Sequence, residues 1–330
     1  MPEYVGKNMK RLAGDKMGST GKILIFSNAA DRYREEIKRK LPDIELYVAY
    51  GSKEMPIEPS EVSILLAWLI KPELLRKMTS LKWIQSLGAG VDPFFKESEI
   101  INNIILTRSV ANLPRLMAQY ATGVVIGDNI GFEKHRANQA AKNWAWEPFF
   151  DISRKTVVVI GTGSIGSEIA KSLKFFKIEV IGVNRRGRAA DGFDRIFPIM
   201  EIDAALSLAD YLILVVPLTP ETRGMIDLGR IGKMKKDALL CNIARGAVVV
   251  EKDLIEALDK GLLRRAVLDV FEREPLPAES PLWIHPLVTV TPHIAGISDV
   301  ELVAEEFVQN YKKYIKGEAL SNMVDKKRQY

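Results

Sequence analysis

At 330 residues the chain is long enough for two domains, and 47% hydrophobic with 27% charged residues is an ordinary globular composition. A single cysteine, Cys241, set in an apolar run, excludes an intrachain disulfide scaffold and fits a reducing cytoplasm. The net charge of +5 is dispersed, with no basic stripe interleaved with aromatics, which argues against a nucleic-acid partner, and no apolar run reaches the roughly 18 residues of a membrane span.

Residues 1–20 are polar and basic without a signal-peptide core, and read as a loose extension. Short apolar strands then alternate with helices. Strands are expected at Ile23–Phe26, Glu45–Val48, Ser63–Ala67, Trp83–Ser86 and Ile104–Leu106, with helices at Arg32–Lys40 and Pro72–Met78 between them. Such alternation predicts a parallel sheet flanked by helices. Apolar residues at helical spacing (Leu116, Tyr120, Val124), with Pro114 in the first turn, predict a helix over Asn112–Ile130 that leads to a second sheet. An arm rich in Trp, Asn and Ala follows, around residues 132–150; its aromatics Trp144, Trp146, Phe149 and Phe150 are suited to packing on a second subunit or within the chain.

The second alternation opens with Lys155-Thr156-Val157-Val158-Val159-Ile160, a buried parallel strand by its composition. It runs into Gly161-Thr162-Gly163-Ser164-Ile165-Gly166, after which Ile165, Ile169, Leu173 and Phe176 recur at helical spacing. Strand, glycine turn and helix in this order form a dinucleotide-binding fingerprint. Gly161 permits the tight turn, Gly163 lets the backbone approach a pyrophosphate, and Gly166 lets the helix sit close to the strand. The helix start, at Ser164 and Ile165, offers amide groups to the phosphates. Further strands are expected at Glu179–Gly182, Tyr211–Val215, Ala238–Cys241, Arg265–Leu268 and Val288–Val290, with helices at Ser164–Phe175, Glu201–Leu208 and Glu251–Lys260. An amphipathic helix over Asp299–Lys316 crosses back to the first domain. The expected organisation is therefore α/β: a discontinuous substrate domain (21–110 with 299–330) and a dinucleotide-binding domain (111–298).

An NAD site places an Asp or Glu after its second strand, to bind the ribose hydroxyls. Here Asn184-Arg185-Arg186 occupies that place, with no carboxylate and two guanidiniums that match a phosphate bidentately. The expected cofactor is NADP, with NAD as the weaker alternative. No His/Cys/Asp cluster has metal-ligand spacing, so no metal is expected.

Three segments at strand ends carry candidate chemistry: Asn242-Ile243-Ala244-Arg245-Gly246, the stretch from Leu268 and Asp269 to Glu274-Pro275, and Thr291-Pro292-His293-Ile294-Ala295-Gly296. Open α/β sheets place ligands at such ends. Singly, Arg245 reads equally as a surface ion-pair partner, Glu274 as a solvated loop acid and His293 as a turn residue. Together, in this order, they resemble the Arg–Glu–His arrangement of the D-isomer-specific 2-hydroxyacid dehydrogenase family. Gly88-Ala89-Gly90-Val91-Asp92 is similar to its substrate-carboxylate loop, and Val216-Pro217-Leu218-Thr219-Pro220-Glu221-Thr222 to a turn beside its cofactor. The resemblance runs from about residue 60 to the end. Pro277–Trp283 and the Asn184–Arg186 turn look most like its glyoxylate/hydroxypyruvate reductase branch.

The resemblance implies two Rossmann-like domains, flavodoxin-like and dinucleotide-binding, enclosing a cleft, and a homodimer. It implies reduction of a small 2-keto acid to the D-2-hydroxy acid. His293 would act as general acid/base, for which histidine's unperturbed pKa near neutrality is suited. Glu274 would orient it, and Arg245 would bind the substrate carboxylate and polarise the ketone. Backbone amides of Ala89 and Gly90, with Gly88 in the same substrate-binding loop, would also hold the carboxylate, while Trp68, at the end of a strand, would either narrow the pocket or pack in the core. Asp269 resembles the residue that binds the nicotinamide carboxamide. Val216, Pro217, Thr222, Ile243, Ala244 and Gly296 resemble positions lining the cofactor. Rival readings share these residues: a dinucleotide-sensing binding protein, as among corepressor relatives of the fold, or a dehydrogenase of another small acid such as formate or phosphite.

Overall fold

The computed structural model describes residues 21–51 and 55–330, so the expected extension over 1–20 lies outside the described residues. The chain forms two compact units, one of residues 21–112 with Ser298–Tyr330, the other Leu113–Ile297.

In the first unit, β1 (Lys22–Phe26), β2 (Leu46–Ala49), β3 (Val62–Ala67), β4 (Trp83–Ser86) and β5 (Ile105–Thr107) form an all-parallel sheet in the order β2-β1-β3-β4-β5. This is the flavodoxin-like doubly wound order. The strands are mainly apolar because both faces are covered, with Gln85, Ser86 and Thr107 as buried polar exceptions. Leu24, Leu65, Ile84 and Leu106 face Leu74, Leu75, Phe94 and Ile101. Ile23, Ile25, Ile64, Leu66 and Trp83 face Tyr33, Ile37 and Phe307. The returning helix Val300–Ile315 belongs to this second face, and Phe307 stacks on Trp83 with ring centroids 5.3 Å apart. Asp299 caps that helix by accepting from the N–H groups of Glu301 (2.9 Å) and Leu302 (3.1 Å). The two points where the chain leaves and re-enters the unit are tied together. The Glu306 carboxylate accepts from Ala111 N–H at 2.8 Å and Val110 N–H at 3.2 Å, and Asn112 Oδ1 accepts from Asp299 N–H at 2.8 Å.

In the second unit, β6 (Thr156–Ile160), β7 (Glu179–Asn184), β8 (Arg195–Pro198), β9 (Tyr211–Leu214), β10 (Leu239–Asn242), β11 (Arg265–Leu268) and β12 (Val288–Val290) form another all-parallel sheet, in the order β12-β11-β10-β9-β6-β7-β8. This is the dinucleotide-binding order extended by one strand. Its order reverses between β6 and β9, and the loops after these two strands flank the switch point. The helix Leu113–Ile130 packs on the helix that follows the glycine turn, Ser164–Lys174.

Three expectations change. Strand β8 was not anticipated: it is a four-residue edge strand paired only with β7, and its short apolar stretch ends at Pro198, a residue that argues against a strand. The helix expected at Glu201–Leu208 is a 3-10 turn, Ile199–Glu201, followed by a helix at Ile202–Leu206. The arm begins as a helix, Phe132–Ala140, with no buried residue, and continues without regular structure. Trp144 is 98% exposed and Trp146 83%, so packing of these rings within the chain is not seen. No helix among the described residues is long and apolar enough to cross a membrane.

Candidate active site

The glycine turn follows β6 at the switch point, and each glycine has a distinct steric reason. Gly161 has φ +108°, and a Cβ there would lie 2.6 Å from the Val215 carbonyl oxygen, just past β9. At Gly166 a Cβ would lie 1.9 Å from the Gly161 oxygen, so only glycine lets the helix approach its own loop. At Gly163 no atom lies within 4 Å of the Cβ position, and no side chain caps the helix that starts at Ser164. An open cradle beside an uncapped helix N-terminus fits a dinucleotide's pyrophosphate. Asn184, the last residue of β7, is half-buried, while Arg185, Arg186 and Arg188 are exposed in the turn that follows. Arg188 escaped the sequence reading, although Arg185-Arg186-Gly187-Arg188 carries it in plain view.

After β9, Thr222 folds the 216–222 turn. Its hydroxyl donates to the Pro217 carbonyl (2.7 Å) and accepts from Thr219 N–H (2.8 Å). Pro217 is exposed and Val216 half-buried. Ile243 and Ala244 are 3% and 5% exposed, so what they present to a ligand is mainly backbone. Cys241 is fully buried in β10, where burial pushes its thiol pKa up, which removes it as a nucleophile.

Arg245 is set by two features that sequence reasoning passed over. Asn242, the buried polar residue ending β10, donates from Nδ2 to the Arg245 carbonyl (3.0 Å) and accepts from Ala244 N–H through Oδ1 (3.1 Å). Gly246 is pressed against the next loop: a Cβ there would stand 1.8 Å from the Phe271 carbonyl carbon and 2.2 Å from Glu272 N. The Arg245 loop and the Glu274 loop therefore meet backbone to backbone. The Arg245 guanidinium donates to the Ala244 carbonyl at 2.8 Å.

Glu274 and His293 are joined directly. Oε2 of Glu274 lies 2.7 Å from Nδ1 of His293, while Oε1 accepts from Phe271 N–H at 2.9 Å. Burial pulls the Glu274 carboxyl upward, but the bonds from His293 and Phe271, with the charges of His293 and Arg245, outweigh it and hold the group below the ordinary carboxylate range. A carboxyl so depressed contributes stability above its unfolded pKa and loses that contribution as pH falls through the folded value. The stability advantage of the wild type over Glu274→Gln should therefore shrink on acidification through the ordinary glutamate range. Thermal melts over that range check this, and a constant difference would contradict it.

His293 has φ +54°, in the left-handed region that few residues other than glycine adopt. Asp269, 1% exposed at the end of β11, holds this loop. Its backbone carbonyl accepts from His293 N–H (2.8 Å), its Oδ1 from Ile294 N–H (2.9 Å) and the Thr291 hydroxyl (2.6 Å), and its Oδ2 from Ala295 N–H (2.9 Å). The Tyr120 hydroxyl lies 2.6 Å from Thr291 Oγ1 and extends the chain of bonds into the helix Leu113–Ile130. The Asp269 carboxylate thus also binds the histidine loop, a role the sequence does not disclose. The sequence shows Tyr120 only as a periodic helix residue and Thr291 only beside His293, because nothing in a linear pattern connects positions so far apart. Gly296 packs on the same helix, where a Cβ would lie 3.1 Å from Met117.

In the other unit, the loop after β4 is built on buried Ser86. Its hydroxyl donates to the Gly88 carbonyl (3.0 Å), and Ser109 N–H donates to the same oxygen at 3.2 Å. Gly88 is buried, and Ala89 and Gly90 are half-buried. The Trp68 indole lies over Gly88, where a Cβ would be 3.1 Å from its Cδ1, and the residue is 41% exposed, which sets aside core packing for it.

A family model described as D-isomer specific 2-hydroxyacid dehydrogenase, NAD binding domain, matches residues 123–295. Among solved structures, a D-isomer specific 2-hydroxyacid dehydrogenase from Xanthobacter autotrophicus Py2, in complex with NADPH and MES, is similar with a TM-score of 0.88 and 29% identity over 94% of this chain and 100% of that one. A family protein from Aeromonas salmonicida subsp. salmonicida A449 has a TM-score of 0.85 and 34% identity, over 93% and 100% of the two chains. An NADPH-dependent glyoxylate/hydroxypyruvate reductase from Sinorhizobium meliloti, in complex with NADP and sulfate, has a TM-score of 0.86 and 28% identity over 94% and 100%.

Proposed function

Because the chain belongs to the D-isomer specific 2-hydroxyacid dehydrogenase family, and is thus an NAD(P)-dependent oxidoreductase, we propose that it is an NADP-preferring reductase of a small 2-keto acid such as glyoxylate or hydroxypyruvate. The unit of residues 113–297 is its dinucleotide domain, and residues 21–112 with 298–330 its substrate domain. The observation that carries the reading is the His293–Glu274 pair at 2.7 Å, with Arg245 beside it in charge, at the strand ends of a dinucleotide-type sheet. When bound, a nicotinamide cofactor would supply the hydride that reduces C2 of the keto acid. His293 gives a proton to the carbonyl oxygen from Nε2, since Glu274 engages Nδ1 and fixes the ring. Arg245 offers its positive charge to the substrate carboxylate and to the oxygen on which charge develops. Amides of Ala89 and Gly90 serve the carboxylate, and Trp68 over Gly88 favours small substituents on C2.

NADP preference rests on the exposed Arg185, Arg186 and Arg188 and the missing carboxylate after β7. Arg185→Ala with Arg186→Ala should weaken NADPH by about 10–100-fold while NADH changes little, since charge-assisted bonds to a phosphate are lost. Equal losses in titrations of both would remove the phosphate argument. Turnover of NADPH and NADH with glyoxylate, hydroxypyruvate, pyruvate and phenylpyruvate tests the whole reading; no turnover with any 2-keto acid would sink it. The exposed Trp144, Trp146, Phe149 and Phe150 support a homodimer, in the reducing cytoplasm that the buried lone cysteine suits. Light scattering should give twice the chain mass, and a monomer would overturn that assembly.

A further inference from the structure

The carboxamide of Asn184 is engaged on all sides by its own surroundings. Oδ1 accepts from the N–H groups of Arg186 (3.1 Å) and Arg188 (3.2 Å). Nδ2 donates to the Arg188 carbonyl (2.7 Å) and to the Thr162 hydroxyl (2.9 Å). The backbone dictates which end of the amide is which, because two N–H groups demand an oxygen and a carbonyl demands a donor. Thr162 is the residue between the first two glycines of the dinucleotide turn. Its methyl lies over Gly182 of β7, where a Cβ would come within 2.7 Å of Cγ2. One side chain thus bolts the arginine turn to the glycine turn. Gly187, at φ +66° with Pro198 of β8 beside it, completes the bend that only a glycine takes without strain.

We propose that Asn184 and Thr162 are positioning residues that set the dinucleotide preference without touching the cofactor, by holding the Arg185–Arg188 turn in one conformation against the glycine loop. The inference rests on the NADP reading above. Ordering the backbone beforehand removes part of the entropic cost of gathering long arginine side chains around a phosphate. Aspartate at 184 would keep the Oδ1 bonds but turn an anionic oxygen toward the Arg188 carbonyl and lose the donor to Thr162. It would therefore disorder the turn rather than convert the site to one for a ribose hydroxyl.

The test is a fluorescence titration of NADPH and NADH on the full chain for wild type, Thr162→Val, Thr162→Ser and Asn184→Asp, with thermal melts to establish folding. Thr162→Val keeps the shape and removes only the hydroxyl, so it should weaken NADPH about 3–10-fold and NADH by less than about twofold, as one hydrogen bond is worth. Thr162→Ser should restore the preference, and Asn184→Asp should weaken NADPH at least as much as Thr162→Val without tightening NADH. A wild type that binds the two dinucleotides equally would overturn the phosphate site itself. A wild-type preference left unchanged in Thr162→Val, or equal losses of both dinucleotides, would overturn the clasp alone. So would an Asn184→Asp protein that binds NADH more tightly than wild type.

Discussion

Replacing His293 should lower turnover by about 10²–10⁴-fold, the usual weight of a general acid/base, while dinucleotide affinity stays close to wild type. The choice of replacement matters, because His293 sits at φ +54°. Alanine at such an angle adds backbone strain to the loss of the ring, whereas asparagine tolerates the left-handed region. His293→Asn therefore isolates the chemistry, and His293→Ala adds whatever the strained loop contributes. The asparagine variant should melt near the wild-type temperature, since Asp269 still receives the Ile294 and Ala295 amides. Single-turnover reduction of glyoxylate or hydroxypyruvate with NADPH is the measurement. A His293→Asn protein that turns over at the wild-type rate would remove the histidine from the mechanism.

Gly246→Ala should be among the most damaging single-methyl changes in the chain. The added Cβ would stand 1.8 Å from the Phe271 carbonyl carbon and 2.2 Å from both the Phe271 oxygen and Glu272 N, so backbone must move. Overpacking of a buried site costs about 1–3 kcal/mol and more where rigid backbone is involved. The displaced segments are those that carry Arg245 and Glu274, so any folded fraction should also lose activity. Gly163→Ala is the counterpart: nothing stands within 4 Å of its Cβ, so stability should change by no more than about 0.5 kcal/mol, while dinucleotide binding weakens because the methyl fills the cradle. Denaturant melts paired with titrations separate the two, and a Gly246→Ala protein as stable and active as wild type would show that the loops do not depend on this contact.

Much of the architecture was legible because parallel strands buried on both faces leave continuous apolar runs, as at Val157–Ile160 and Ile64–Leu66. The glycine turn was legible for a related reason: two close backbone approaches, at Gly161 and Gly166, fix its ends, and Gly163 stands open between them. Strand β8 was hidden because it is only four residues long and ends in Pro198, which lacks the N–H of a strand residue and reads as a break. The supports of the candidate site were hidden for another reason. Asn242, Thr291 and Tyr120 act through hydrogen bonds to residues outside any local period, and Tyr120 meets Thr291 across 171 positions. The left-handed backbone at His293 left no trace either, since a histidine does not announce its φ as a glycine does.

The interrupted first unit has a consequence for how the chain is made. One face of its sheet, with Ile23, Ile25, Leu66 and Trp83, is covered by Phe307 and Val303 of the last long helix. A ribosome delivers the five strands first and that helix only after the whole dinucleotide unit. During that interval the half-built sheet has Tyr33 and Ile37 on this face, and the part that Phe307 and Val303 later cover is open, while the later-emerging unit already holds all its parts. Maturation is thus ordered inside out, the middle of the chain complete before its beginning, and the uncovered sheet is where a chaperone would have its opportunity.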